Sequence, residues 1–169
     1  MIIRDAEIDD AENINRIHNE AVTNSTAIWT NFSTCVAERR NFIESQQAEN
    51  LPLIVAINDD GILLGYASFG KWKQKEGYRF TVENSIYVDA MFRGRGIGTK
   101  LLEALVERAR QSDVHAMIAA IEASNASSIR LHQKLGFNRV GLLPQVGTKF
   151  GKWLDLAYLQ LTLDEREEA

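Results

Sequence analysis

Residues 81–102 read TVENSIYVDAMFRGRGIGTKLL, and this stretch decides how the chain is organised. Val82, Ser85, Ile86, Tyr87 and Val88 favour extended backbone, so the segment opens as a strand. Asp89-Ala90-Met91 breaks that run. Arg93, Gly94, Arg95, Gly96, Ile97 and Gly98 follow as a glycine-rich loop. From Thr99 onward, Leu101, Leu102, Leu105, Val106 and Ala109 recur at helical spacing. A glycine-rich loop that feeds a helix can turn successive N–H groups inward and adds the positive end of the helix dipole. Two arginines in the loop fit a phosphate or diphosphate ligand. A solvated strand-to-helix turn is the plainer alternative. The nucleotide loops fit poorly: counting Gly-x-Gly-x-x-Gly from Gly94 ends on Thr99, and Gly98-Thr99-Lys100 has the wrong order for a Walker loop.

Outward from this centre, the chain alternates helix and strand signals. A short strand at 2–4 precedes a helix announced by Asp9, Asp10 and Glu12, with Ile14, Ile17 and Ala21 on one face. His18 in that helix reads as a partly exposed side chain more readily than a catalytic one. Residues 24–34 form a polar loop whose Trp29 and Phe32 either plug the domain or wall an acceptor pocket. Residues 36–49 read as a second helix. Asn58-Asp59-Asp60-Gly61 joins strands 53–57 and 63–69 as a hairpin. Residues 70–77, with Lys71, Trp72, Lys73 and Lys75, read as a solvated loop, and 78–88 as one long strand. A helix over 99–112, a strand at 116–122 and a short helix at 129–135, closed by Gly136, come next. Strand 138–143, loop 144–151 and strand 152–163 complete an α+β domain over 1–163. The charged tail 164–169 is expected to be loose.

Composition narrows the function. A chain of 169 residues suits one domain with a sizeable core. A net charge of −4 argues against a general nucleic-acid binder. The single cysteine, Cys35, makes neither an internal disulfide nor a cysteine metal cluster, and no metal is expected. No apolar run is long enough to span a membrane and no signal-peptide core follows Met1, so a cytoplasmic protein is expected.

Two motifs together make a resemblance specific. Arg93-x-x-Gly96-x-Gly98 is similar to the pyrophosphate loop of the GCN5-related N-acetyltransferases (GNAT). Residues 125–137, NASSIRLHQKLGF, resemble the segment Asn-x-x-(Ala/Ser)-x-x-(Leu/Phe)-Tyr-x-x-x-Gly-Phe of the same superfamily. The resemblance covers nearly the whole chain and implies the acyl-CoA N-acyltransferase fold, a mixed, mostly antiparallel sheet flanked by helices. TVENSIYV at 81–88, AIE at 120–122 with Asn125, and PQVGTKFGKWLD at 144–155 resemble, more narrowly, the phosphinothricin and methionine sulfoximine acetyltransferases. His132 stands where most of the superfamily has tyrosine, and this narrower group carries histidine there.

The resemblance implies acetyl-CoA as donor and assigns roles residue by residue. The diphosphate is expected on the N–H groups of Gly94, Arg95, Gly96, Ile97, Gly98 and Thr99, with Arg93 and Arg95 beside it. The strand carrying Ile86, Tyr87 and Val88 is expected to splay from its neighbour and pair with the pantetheine arm. Asn125 either contacts that arm or only caps a helix. Glu83 is the expected general base, although a lone glutamate on a strand face is ordinarily just solvated. His132 is the candidate proton donor to the thiolate, or a packed helix residue. Arg79 is expected to clamp the acceptor's carboxylate, with Gly77 and Tyr78 shaping the entrance and Trp29 and Phe32 forming an apolar wall. The subgroup places this site near a homodimer interface, so Lys149 and Phe150 are expected to reach in from a partner chain. A protein or lysine acetyltransferase, and a non-catalytic acetyl-CoA sensor, are the alternatives.

Overall fold

The computed structural model describes residues 1–168. Seven strands form a single sheet in the order β1-β2-β3-β4-β5-β7-β6. They are β1 (Ile2–Asp5), β2 (Leu53–Ile57), β3 (Leu63–Lys71), β4 (Thr81–Val88), β5 (Ala116–Glu122), β6 (Asn138–Lys149) and β7 (Lys152–Thr162). All neighbours pair antiparallel except β4 with β5, which run parallel. Helices α1 (Ala11–Asn24) and α2 (Val36–Ala48) cover one face, and α3 (Ile97–Arg110) and α4 (Ala126–Lys134) the other.

Each face has its own core, and the strand period of two distributes β4 between them. On one side Ile14 and Ile17 of α1 and Ile43 of α2 bury against Val55, Leu63 and Tyr66, with Tyr87 packed beside them. On the other, Leu101, Leu102 and Leu105 of α3 bury against Ala67, Val82, Met117 and Leu159, joined by Ile86 and Val88. Burial of these side chains stabilises the fold by about 1.5–3 kcal/mol each. Gly65 lets β3 lie close to β4, since a Cβ there would stand 2.7 Å from the Tyr87 carbonyl oxygen.

The β4–β5 pairing is short. The parallel ladder joins Thr81 to Ala116, Val82 to Met117 and Glu83 to Ile118, and goes no further. Beyond it β4 stays with β3 as far as Val88, while β5 stays with β7 as far as Glu122. The two central strands therefore part after Glu83 and leave a fork in the sheet.

Three expectations about the elements change. Residues 78–80 are outside β4, because Glu76–Tyr78 forms a 3-10 turn and the strand begins at Thr81. β6 runs on to Lys149 through the expected loop: it is an edge strand, which tolerates Pro144, and a bulge between Leu143 and Gly147 absorbs the extra residues. The β6–β7 turn then uses Phe150 at φ 50° and Gly151 at φ 72°, a left-handed pair without the usual Asn-Gly signature. The tail is not loose at its start. Asp164 meets His115 at 2.6 Å, and Arg166 pairs with Asp113 at 2.7 Å. The last tail residue, Ala169, lies outside the described residues.

Candidate active site

The fork leads into a cleft of about 630 Å³ on the α3–α4 side, lined by Ile86, Tyr87, Val88, Arg93, Gly94, Gly96–Thr99, Asn125 and His132. The expected cofactor residues thus come together, apart from Arg95, which projects over the Phe92 ring at 5.4 Å. The loop owes its shape to Gly94 and Gly96, both at φ 77°, where a side chain would be strained. Gly98 brings α3 against α4, since a Cβ there would sit 2.8 Å from Leu131 Cδ1. Asp89 holds the preceding turn by accepting from Met91 N at 2.9 Å. Arg93 donates to the Val88 carbonyl at 3.1 Å and to Glu20 at 2.8 Å, which ties the loop to α1. Glycine N–H groups beside the N-terminus of a 14-residue helix suit a diphosphate.

The backbone edge of residues 84–88 that faces β5 has no strand partner, the arrangement an extended arm can join. Asn125 caps α4, accepting from Ser128 N at 3.1 Å and Ser127 Oγ at 2.9 Å, and it also lines the cleft. His132 is buried, with both ring nitrogens turned to acceptors: Nδ1 to the Ser128 carbonyl at 2.8 Å and Nε2 to Asn84 Oδ1 at 3.1 Å. Asn84 in turn donates to the Ile118 carbonyl at 3.1 Å, just where the strands part. Burial pushes the His132 pKa down, against the pull of the Ser128 carbonyl.

On the α1–α2 face, Glu83 lines a 310 Å³ pocket with Phe42, Gln46, Ser68 and Ser85. Burial raises its pKa, opposed by the charge of Lys73. Other expected acceptor residues lie elsewhere. Arg79 stacks over Phe80 at 4.3 Å and lines a separate 720 Å³ hollow with Asp5 and Arg108, which shares only the wall of Gln46, Phe69 and Lys71 with the Glu83 pocket. Tyr78 meets Trp72 edge to face at 5.1 Å, in the turn that holds Gly77. Trp29 donates to the Thr26 carbonyl at 2.8 Å and packs against Gly147, where a Cβ would stand 2.1 Å from its ring. Phe32 and Phe150 are exposed, at 83% and 55%. Lys149 is buried in its own chain, and its ammonium donates to the Val22 and Ile28 carbonyls. It anchors the loop after α1 rather than projecting outward. Sequence reading missed Asn84, whose only signal was a polar residue on the apolar side of β4.

A splayed parallel strand pair, a glycine loop opening α3 and a capped α4 beside the fork define an acyltransferase of the acyl-CoA type. Comparison with known proteins agrees. The profile of the acetyltransferase (GNAT) family matches residues 15–137, and the chain belongs to this family. It is 48% identical over 167 residues to the L-methionine sulfoximine/L-methionine sulfone acetyltransferase of Pseudomonas paraeruginosa, covering 99% of this chain and 97% of that one. It is 34% identical to the phosphinothricin N-acetyltransferase of Alcaligenes faecalis, covering 96% and 81%. The structure of yncA from Salmonella typhimurium with its cofactor acetyl-CoA superposes with a TM-score of 0.97 at 44% identity, covering 100% of this chain and 97% of that one. The chain is an N-acetyltransferase.

Proposed function

We propose that the chain transfers acetyl from acetyl-CoA to the α-amino group of a small amino-acid analogue such as methionine sulfoximine, methionine sulfone or phosphinothricin, with Glu83 as general base. The observation that carries this reading is the parting of β4 and β5 directly after Glu83, which joins the cofactor cleft to the carboxylate's face of the sheet. The names of the relatives support the acceptor class.

An α-amino group has a pKa of about 8, so at neutral pH it arrives mostly as an ammonium. Glu83 takes one proton, directly or through a water, and its raised pKa makes it a better base. Bound acetyl-CoA supplies the thioester carbonyl that the freed amine attacks. The unpaired edge of residues 84–88 offers backbone N–H groups to the developing oxyanion. His132 keeps its ring on Ser128 and Asn84 and anchors α4 to β4; a thiolate leaves without its help.

The partner surface follows from β6. Val140, Leu142, Val146, Phe150 and Trp153 of the β6–β7 hairpin are exposed, a stripe that fits a second copy of the chain. Light scattering is expected to show a dimer, and a monomer at working concentration refutes this part.

Free-thiol release from acetyl-CoA tests the activity. Turnover is expected with methionine sulfoximine, methionine sulfone or phosphinothricin and not with a short peptide bearing a free N-terminus. Turnover with the peptide alone overturns the acceptor class.

A further inference from the structure

Glu122 ends β5, and the chemistry above does not use it. It is 8% exposed. A carboxylate this buried is ordinarily ion-paired. Among the described residues, however, none of the ion pairs includes it. Neutral donors hold it instead: Ser124 N reaches Oε1 at 2.9 Å, while Ser124 Oγ at 2.6 Å and Thr26 Oγ1 at 3.1 Å reach Oε2. Each carboxylate oxygen has two lone pairs, so Oε1 keeps one without a protein donor.

Strand register says where this carboxylate stands. Glu83 lies opposite Ile118 at the last rung of the parallel ladder. Carrying that register along both strands brings Tyr87 level with Glu122. Alternation puts Glu83, Ser85 and Tyr87 on one face of β4, and Ile118, Ala120 and Glu122 on the same face of β5. That face belongs to α1 and α2: the Tyr87 ring packs on Tyr66 at 5.2 Å, and Glu122 meets Thr26 in the loop after α1. The cofactor cleft reaches the same place, since its lining includes Ala21, Ser25 and Ala27 as well as Tyr87. Glu122 and Tyr87 therefore flank the mouth of the fork, where the strand edges have separated.

We propose that Glu122 is an acceptor-binding residue: Oε1 receives an N–H of the acceptor's ammonium at the level of Tyr87 and holds the nitrogen at the fork. A primary ammonium fits because it brings both the missing charge and the missing donor. The inference rests on the acetyl-transfer reading above for the direction of approach, but extends to any primary-amine acceptor.

Glu122→Gln is the test, because it removes the charge and leaves the ties satisfiable. The amide oxygen still accepts from Ser124 N, and the Ser124 and Thr26 hydroxyls can turn to accept from the amide nitrogen. The acceptor KM is expected to rise about tenfold to a hundredfold, the span of one charge-assisted hydrogen bond. The acetyl-CoA KM and the melting temperature should stay as in the wild type. Thr26→Val removes a tie and keeps the charge, and is expected to leave the acceptor KM within about twofold. An unchanged acceptor KM in Glu122→Gln overturns the proposal. So does an equal rise in Thr26→Val, which would make Glu122 an anchor of the loop. Its failure separates from that of the acceptor-class reading: if the wild type accepts only a peptide amine, that reading falls, and the Glu122→Gln KM for the peptide amine decides this one.

Discussion

The two halves of the cleft are built differently. The cofactor half comes mainly from two continuous stretches, 86–99 and 125–134, each a strand end or turn leading into a helix, with Ala21, Ser25 and Ala27 beside them. The pocket proposed for the acceptor is assembled across the chain: α2 gives Phe42 and Gln46, β3 gives Ser68, and β4 gives Glu83 and Ser85. A diphosphate can be held by local backbone, whose N–H groups are set by a few dihedral angles. A small acceptor needs walls on several sides, and only packing supplies those. The halves meet at the fork, so each should be open to damage without the other.

The largest effect expected is on chemistry alone. Glu83→Gln should lower kcat by about a hundredfold to ten-thousandfold, the range of general-base catalysis, and leave the acetyl-CoA KM unchanged in steady-state thiol-release assays. The wild-type acid limb of kcat/KM should lie above the ordinary carboxylate value of 4.5, because burial raises Glu83, and activity should fall as pH drops through it. A comparable loss of acetyl-CoA affinity in Glu83→Gln would break the division between the halves.

Lys149→Met asks how far the cleft depends on the anchor of the loop after α1. The substitution orphans the Val22 and Ile28 carbonyls, and should cost about 2–4 kcal/mol in urea unfolding. Because the freed segment carries Ala21, Ser25 and Ala27 of the cofactor cleft, the acetyl-CoA KM should rise as well. Gly96→Ala is the mirror experiment to Glu83→Gln. A Cβ at φ 77° strains the loop by about 1–2 kcal/mol, so the acetyl-CoA KM should rise about fivefold to thirtyfold with the acceptor KM held.

The smallest effect expected concerns the packing of α1 on the sheet. His18 faces the Tyr66 hydroxyl at 3.2 Å, and burial, then the charge of Arg39, lowers its pKa from 6.5 to about 4. Between those values the unfolded chain binds the proton and the folded chain does not, so stability rises with pH. The contribution is fully present above pH 6.5 and is lost as pH falls toward 4. After allowance for partial solvation it amounts to about 1 kcal/mol. His18→Gln should flatten the stability curve in that window, as followed by denaturant unfolding at several pH values.

Element order, the glycine loop and the α4 cap were legible because each has a local cause. Arg79 was not placed by its neighbours: four residues along a strand would keep it near Glu83, but the 3-10 turn at Glu76–Tyr78 and its stacking on Phe80 carry it into another hollow. Lys149 was expected to reach into the acceptor site from a partner chain, and its ammonium is instead held by two carbonyls of its own chain. The length of β6 was hidden by Pro144 and Gly147, since nothing local distinguishes an edge strand with a bulge from a loop. Asn84 and Glu122 stood within the matched motifs without a role, because their burial comes from α4, β5 and a distant loop.

The sequence by itself determined the strand–loop–helix unit at residues 81–102, because glycine freedom and apolar spacing act within a few residues of chain. It determined, through two motifs, the kind of donor that unit holds. Only the tertiary structure decided where β4 and β5 part and which polar side chains line the two edges of that gap. Those outcomes depend on burial and strand register between segments far apart in sequence, and no local pattern encodes either.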